Sequence, residues 1–150
     1  MKLSTKSRYS ARILIELARH RKDSPLQTSR ISLKQHIPMK YLEQLITILR
    51  KAGFIQSFRG PKGGHRLAVD PADISLGQIV RMFEGQTELV PCVTAKEKCL
   101  LADECHLRAA WQEATLSLYE KLDMITIESL VEKDRPDLEN DFCRKRTLKH

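Results

Sequence analysis

The stretch His36 to Val69, HIPMKYLEQLITILRKAGFIQSFRGPKGGHRLAV, decides the fold. Leu42, Leu45, Ile46 and Leu49 recur at steps of three and four residues, which predicts one helix from about Pro38 to Ala52 with a single apolar face. Pro38 suits the first position, where its missing N–H costs nothing, and Gly53 suits the position just past the end. Two β-type runs follow, Phe54–Phe58 and His65–Val69, on either side of the turn R-G-P-K-G-G, and they read as a hairpin. A hairpin directly after an amphipathic helix with a polar outer face is the wing of a helix–turn–helix unit.

Toward the N-terminus, Thr28 or Ser29 can cap a short helix through Gln35 with Ile31 inward. Ser7 to Lys22 reads as a longer helix. Ala11, Leu14, Leu17 and Ala18 form its apolar stripe, Tyr9 and Ile13 widen it, and Arg8, Arg12, Arg19 and Arg21 lie outside it. Asp23-Ser24-Pro25 breaks it. Toward the C-terminus, Asp70-Pro71 ends the wing and Ser75 caps a helix from Leu76 to Phe83. A helix from Cys105 to about Leu122 carries Leu107, Trp111, Ala114, Leu118 and Leu122 in a near-heptad stripe. That stripe suits a seam between two subunits, and a core-only role is the alternative. Thr126 caps a last short helix through Val131, and the residues beyond are charged and nearly empty of apolar side chains, as in a mobile tail.

The fold class expected is therefore mainly α with a small β wing: a winged helix–turn–helix DNA-binding domain plus a long dimerisation helix. Residues 1–84 form the DNA-binding domain, 85–104 a cysteine loop, 105–132 the dimerisation helix with the short helix after it, and 133–150 a flexible charged tail.

Charge supports this division. Residues 1–70 hold 15 Lys and Arg against 4 Asp and Glu, whereas residues 71–150 hold 11 against 15. A basic half of this kind suits a phosphate-bearing partner, double-stranded DNA in particular. With 41% hydrophobic residues a sizeable core is available, and no apolar run approaches the roughly 20 residues that span a bilayer. The polar start M-K-L-S-T-K is unlike a signal peptide, so a cytoplasmic protein without membrane association is expected. There is no Gly-rich nucleotide loop in a strand–loop–helix context and no paired acid–base constellation, which argues against an enzyme.

Three of the four cysteines, Cys92, Cys99 and Cys105, lie close together with six and five residues between them. Thiolates prefer zinc, Cu(I) and iron–sulfur units, and these intervals do not fit structural zinc, whose ligands pair two to four residues apart. In a reducing compartment such a set more often binds metal or senses redox state than forms disulfides. Cys143, in the tail beside Arg144-Lys145-Arg146, is remote from the set and is not expected to be a ligand.

Several motifs together carry a family resemblance: the opening K-L-S-T-K-S-R-Y, Y-L-E-Q-L at Tyr41–Leu45, R-G-P-K-G-G at Arg59–Gly64, I-S-L-G-Q-I-V at Ile74–Val80, and the three cysteines followed by Trp111. Over about residues 1–132 the chain resembles the Rrf-two family of bacterial regulators, the IscR-, NsrR- and RirA-like proteins. The resemblance implies a homodimeric winged helix–turn–helix transcription factor, most simply a repressor, on a palindromic operator. It also implies a 2Fe–2S or 4Fe–4S cluster, held here by Cys92, Cys99 and Cys105, that senses iron, redox state or nitric oxide. The alternative is a cluster-free thiol-redox or protein-partnered regulator of the same fold.

Two positions depart from family patterns. Arg108 stands where IscR-type members carry a histidine ligand, and Arg8 stands where some NsrR-type members carry an aspartate. The fourth ligand is therefore open between His106, an acid such as Asp103 or Glu104, and an exogenous group. His106 lies about 200° around the helix from Arg108. For DNA, Lys40, Tyr41, Glu43 and Gln44 are expected on the exposed start of the recognition helix. There Glu43 can accept from cytosine N4 and Gln44 can pair with adenine. Arg59 at the wing suits a narrow minor groove, and Lys2, Lys6, Arg8, Lys62 and Arg66 suit phosphates.

Overall fold

The computed structural model describes residues 3–20, 24–85, 88–93 and 104–133. Six helices and one hairpin occupy these segments: α1 (Thr5–Arg19), α2 (Thr28–Gln35), α3 (Met39–Lys51), β1 (Ile55–Phe58), β2 (Gly64–Leu67), α4 (Leu76–Glu84), α5 (His106–Asp123) and α6 (Ile127–Lys133). The mainly helical architecture with a small wing is the one expected.

Local chemistry explains the boundaries. Ser4 caps α1 by accepting from the Ser7 N–H, so α1 begins two residues before the expected start, and it closes at Arg19. Neither expected hydroxyl caps α2. Its cap is Gln27, and the Thr28 hydroxyl turns instead to His65 Nε2 at 2.9 Å. Pro38 precedes the first helical residue of α3 and offers its carbonyl to the N–H groups of Tyr41 and Leu42. At the other end Gly53 takes φ +84°, the Gly53 N–H bonds Arg50 O and the Phe54 N–H bonds Leu49 O. This is the left-handed closure that frees the chain to enter β1. Ser75 and Gln78 form a reciprocal capping box at the start of α4.

The hairpin pairs Ile55 with Leu67, Gln56 with Arg66, Ser57 with His65 and Phe58 with Gly64. Sequence reading missed a third edge. Leu26 exchanges both backbone hydrogen bonds with His65 at 2.9 Å, so the short segment before α2 pairs with β2. Gly64 makes this possible, since a Cβ there would sit 2.5 Å from the Leu26 carbonyl oxygen.

One core unites α1 to α4, the hairpin and α6. Helix α1 is its centre and touches α2, α3, α4, α6 and β2. Ile13, Leu14, Leu17 and Ala18 of α1 meet Ile31, Ile37, Leu42, Leu45, Leu49, Ile55, Ile74 and Ile79. Ile127 of α6, fully buried, belongs to the same cluster, and its N–H donates to Ile74 O at 2.8 Å. Glu16 is also in the α1 interface at 2% exposure, because Lys34 Nζ (2.6 Å) and Gln35 Nε2 (3.0 Å) of α2 satisfy its carboxylate.

Helix α5 leans on α4 through Tyr119, while Thr115 accepts from the Leu89 N–H at 3.3 Å. Arg81 of α4 holds Asp123 of α5 with two hydrogen bonds of 2.6 and 2.7 Å, and its guanidinium lies 4.6 Å from the Tyr119 ring centre. The pair reinforces itself: hydrogen bonding to Arg81 holds the Asp123 carboxyl below its ordinary range, and the same bond raises Arg81. Gly77 leaves the space for this carboxylate, which a Cβ would strike. Among the described residues no helix is long and apolar enough to cross a membrane.

Candidate nucleic-acid interface and cysteine loop

Helix α3 sorts its side chains by face. Leu42, Leu45, Ile46 and Leu49 are buried, while Lys40, Glu43, Gln44 and Thr47 are exposed along one edge. Lys40, Glu43 and Gln44 are thus presented as expected. Thr47, which the sequence reading passed over, continues their row and donates its hydroxyl to Glu43 O at 2.8 Å. Tyr41 differs. It is half-buried, with its ring edge-on to Tyr9 of α1 at 6.0 Å, so its ring locks α3 to α1 instead of standing free.

The wing follows α3 directly and packs on it through β1. Arg59 and Lys62 are exposed at its tip, where the Gly63 N–H closes the turn on Gly60 O at 2.9 Å. Arg66 departs from the role of a free phosphate contact. Its guanidinium stacks 5.2 Å from the Phe58 ring centre, and its Nε is buried without a hydrogen bond. Phe58, half on the surface, was not anticipated. Lys6 and Arg8 are exposed on α1, and Arg8 Nη2 reaches Thr5 Oγ1 at 3.4 Å. Lys2 lies outside the described residues.

The start of α1 is fixed to α4. The Ser4 N–H donates to Glu84 Oε1 at 2.9 Å and the Ser7 hydroxyl donates to the same oxygen. Bonds from Ser4 and then Ser7 hold Glu84 below the ordinary carboxylate range.

His65 joins wing to helix–turn–helix: Nδ1 meets Ser57 Oγ and Nε2 meets Thr28 Oγ1, each at 2.9 Å. Burial, and then the nearby Arg50 charge, push its pKa below the ordinary 6.5. A folded value below the unfolded one means that the unfolded chain binds more protons as pH falls. The stabilisation is therefore present above about pH 6.5 and is lost as pH falls toward the folded value. Urea midpoints measured from about pH 8 to 5 should decline below about 6.5, and His65→Gln should flatten that decline. Superimposable profiles would assign the pH dependence elsewhere.

In the cysteine region, Cys92 sits in a 3-10 turn (Pro91–Val93) and Cys105 is the residue that caps α5. Both are half-buried and neither is in a disulfide. Cys99, Asp103 and Cys143 lie outside the described residues. Among the described residues no group of three or more metal-ligating side chains stands together, and Cys92 and Cys105 are the members of the expected thiol set that lie there. His106 and Glu104 are exposed. Arg108 turns onto the first cysteine: its Nε donates to Cys92 O at 3.0 Å and its Nη2 to Val93 O at 3.1 Å. The donor chemistry fits a thiolate-bound cluster. Two soft, unbridged thiols are held near the start of one helix, with a third in the intervening sequence.

The expected seam on α5 lies largely in the open. Leu107 is 61% exposed, Trp111 and Ala114 are exposed, and Leu118 and Leu122 are half-covered. Leu116, 59% exposed, stands about 180° around α5 from Leu107, apart from that stripe, and was not anticipated.

Comparison with known proteins agrees with this geometry. A family model described as "Rrf2: Iron-dependent Transcriptional regulator" matches residues 3–133. Protein rrf2 of Nitratidesulfovibrio vulgaris is 39% identical over 131 residues, 87% of each chain. The structure of CymR, described as the global cysteine regulator of B. subtilis, has a TM-score of 0.75 at 34% identity, covering 90% of this chain and 99% of that one. T. potens IscR gives 0.72 at 32%, covering 97% and 96%. These relatives are regulators and not enzymes. The chain belongs to the Rrf2 family and is a DNA-binding transcriptional regulator with the family's winged-helix fold.

Proposed function

We propose that the chain works as a homodimeric repressor on a palindromic operator, with affinity set by an iron–sulfur cluster on Cys92, Cys99 and Cys105. The observation that carries the DNA half is the exposed row Lys40, Glu43, Gln44 and Thr47 on α3 beside the basic wing tip. In this reading Glu43 and Gln44 meet base edges, Arg59 enters the minor groove, and Lys40, Lys62, Lys6 and Arg8 neutralise phosphates, as Lys2 would. Arg66 supports the wing through Phe58. The apolar stripe of α5, Leu107, Trp111 and Ala114, with Leu118 and Leu122 at its edge, faces the second copy and spaces two recognition helices for two half-sites.

Bound by three thiolates, a cluster supplies a redox- and iron-responsive group whose loss changes the charge and order of its ligands. Cys92 and Cys105 must lose their protons to bind it, and Arg108 holds the Cys92 backbone while they do so. The fourth position falls to the exposed His106, to Glu104 or Asp103, or to an exogenous ligand. Helix α5 connects this region to α4 through the Asp123–Arg81 pair, and α4 connects to α1 through Glu84.

Oxygen-free purification followed by visible absorption and native mass on one sample tests the proposal. A coloured dimer with added mass is expected, and Cys99→Ala should remove essentially all of the visible absorption from a folded protein. A Cys99→Ala chain that keeps a full cluster would remove Cys99 from the ligand set. The likeness to CymR supports one second reading, a cluster-free regulator acting through the same thiols or a protein partner. A colourless dimer after reconstitution that still binds DNA would favour it.

A further inference from the structure

We infer that Arg108 is the positioning residue of the cysteine site: it fixes Cys92 against the first turn of α5 before any cofactor arrives. The inference deepens the proposed cysteine function and rests on it for its consequence, but not for its geometry. Cys92 and Cys105 are 13 positions apart in sequence, a separation that does not by itself set the distance between them. Beside the Leu89 N–H bond to Thr115 Oγ1 at 3.3 Å, the side chain that restricts this freedom at Cys92 itself is Arg108. The Nε and Nη2 groups of a guanidinium lie on the same edge and point the same way, so they can take two neighbouring carbonyls as a fork. Cys92 O and Val93 O present that target, at 3.0 and 3.1 Å, because the 3-10 turn aligns successive carbonyls.

Two bonds from one rigid, permanently charged group set orientation as well as distance. Arg108 is itself anchored within the first turn of α5, its N–H bonding Cys105 O at 3.2 Å. The same residue thus touches the backbone of both described cysteines, through its side chain and through its N–H. Neither contact engages a thiol, so both sulfurs are left available. A ligand-bearing residue at position 108 could hold the site only once a metal was present, whereas Arg108 orders it beforehand. The consequence is a site whose first and third thiols are preset, so that binding has less chain to order.

The test uses the full-length protein, oxygen-free, reduced and cofactor-free. Iodoacetamide labelling of Cys92 and Cys105 is followed residue by residue with mass spectrometry. Arg108→Ala should label at Cys92 about tenfold faster than the parent, while Cys105 changes by less than about twofold. Arg108→Lys, with one compact donor group and no fork, should fall between them. Equal Cys92 rates in all three proteins would overturn the inference, as would equal acceleration at both cysteines, which marks general loosening. If Arg108→Ala folds poorly, Arg108→Lys and Arg108→Gln carry the same comparison.

A second readout separates this inference from the cluster proposal. After reconstitution with iron and sulfide, loss of visible absorption to an iron chelator should be several-fold faster in Arg108→Ala. A parent protein that takes up no cluster defeats the cluster proposal, and the labelling ratio still judges Arg108. An unchanged labelling ratio with a normal cluster defeats the role of Arg108 and leaves the cluster proposal standing.

Discussion

Trp111→Glu is expected to leave a folded chain that no longer dimerises and that binds a two-half-site operator at least about a hundredfold more weakly. Trp111 and its neighbour Leu107 are exposed on the single chain, so a carboxylate there costs little within the monomer. In a subunit seam it would place two charges without partners in an apolar interface, which costs several kcal/mol. The large effect on DNA follows from linkage. With two recognition helices on one body, the second half-site binds as an intramolecular event, and separated subunits forfeit that gain of roughly 10²–10⁴. Sedimentation gives the oligomeric state, and anisotropy with one- and two-half-site duplexes gives the affinities. The variant should match the parent on a single half-site. A Trp111→Glu protein that stays dimeric with full operator affinity would move the seam off α5.

Ile127→Ala should lower stability by about 2–5 kcal/mol, although α6 lies after the long helix and outside the winged-helix segment of the sequence. Ile127 is fully buried in the same cluster as Leu14 and Ile79, and its backbone is stitched to Ile74. Removing its outer carbons leaves a cavity against α1, a rigid element at the centre of the core, so little collapse can fill it. Against a typical total of 5–15 kcal/mol the loss is large. Urea unfolding should show a lower midpoint with an unchanged slope, and binding to DNA at 37 °C should suffer although no contacting residue has changed. A loss below about 1 kcal/mol would mean that α6 is docked rather than part of the core.

What the sequence disclosed depended on whether the information was local. The α3 face, the Gly53 closure, the wing turn and the Ser75 cap each follow from side chains a few residues apart, and each stands where periodicity or turn chemistry placed it. The missed features pair residues distant along the chain. Nothing near Glu16 distinguishes it from a surface acid on a charged helix, because its burial depends on Lys34 and Gln35 arriving from α2. Leu26 reads as a lone apolar residue until Gly64 lets β2 approach its backbone. Asp123 and Arg81, 42 residues apart, have no common motif. Arg108 was legible as a departure from a ligand position, but its actual targets are two carbonyls, which any sequence supplies at every residue. Tyr41 and Arg66 were read by charge and position alone, and aromatic neighbours on other elements, Tyr9 and Phe58, draw them inward.

The Leu26–His65 bridge has a thermodynamic consequence for DNA recognition. An isolated two-stranded hairpin is marginal in water and would have to be ordered when it meets its groove. Here β1 is held by α3, β2 is flanked by Leu26, and His65 ties the strands to Thr28, so that ordering is completed when the protein folds. In the proposed docking the wing would meet DNA with its strands already set, leaving conformational entropy to lose chiefly in the turn around Gly60–Gly63 and the side chains of Arg59 and Lys62.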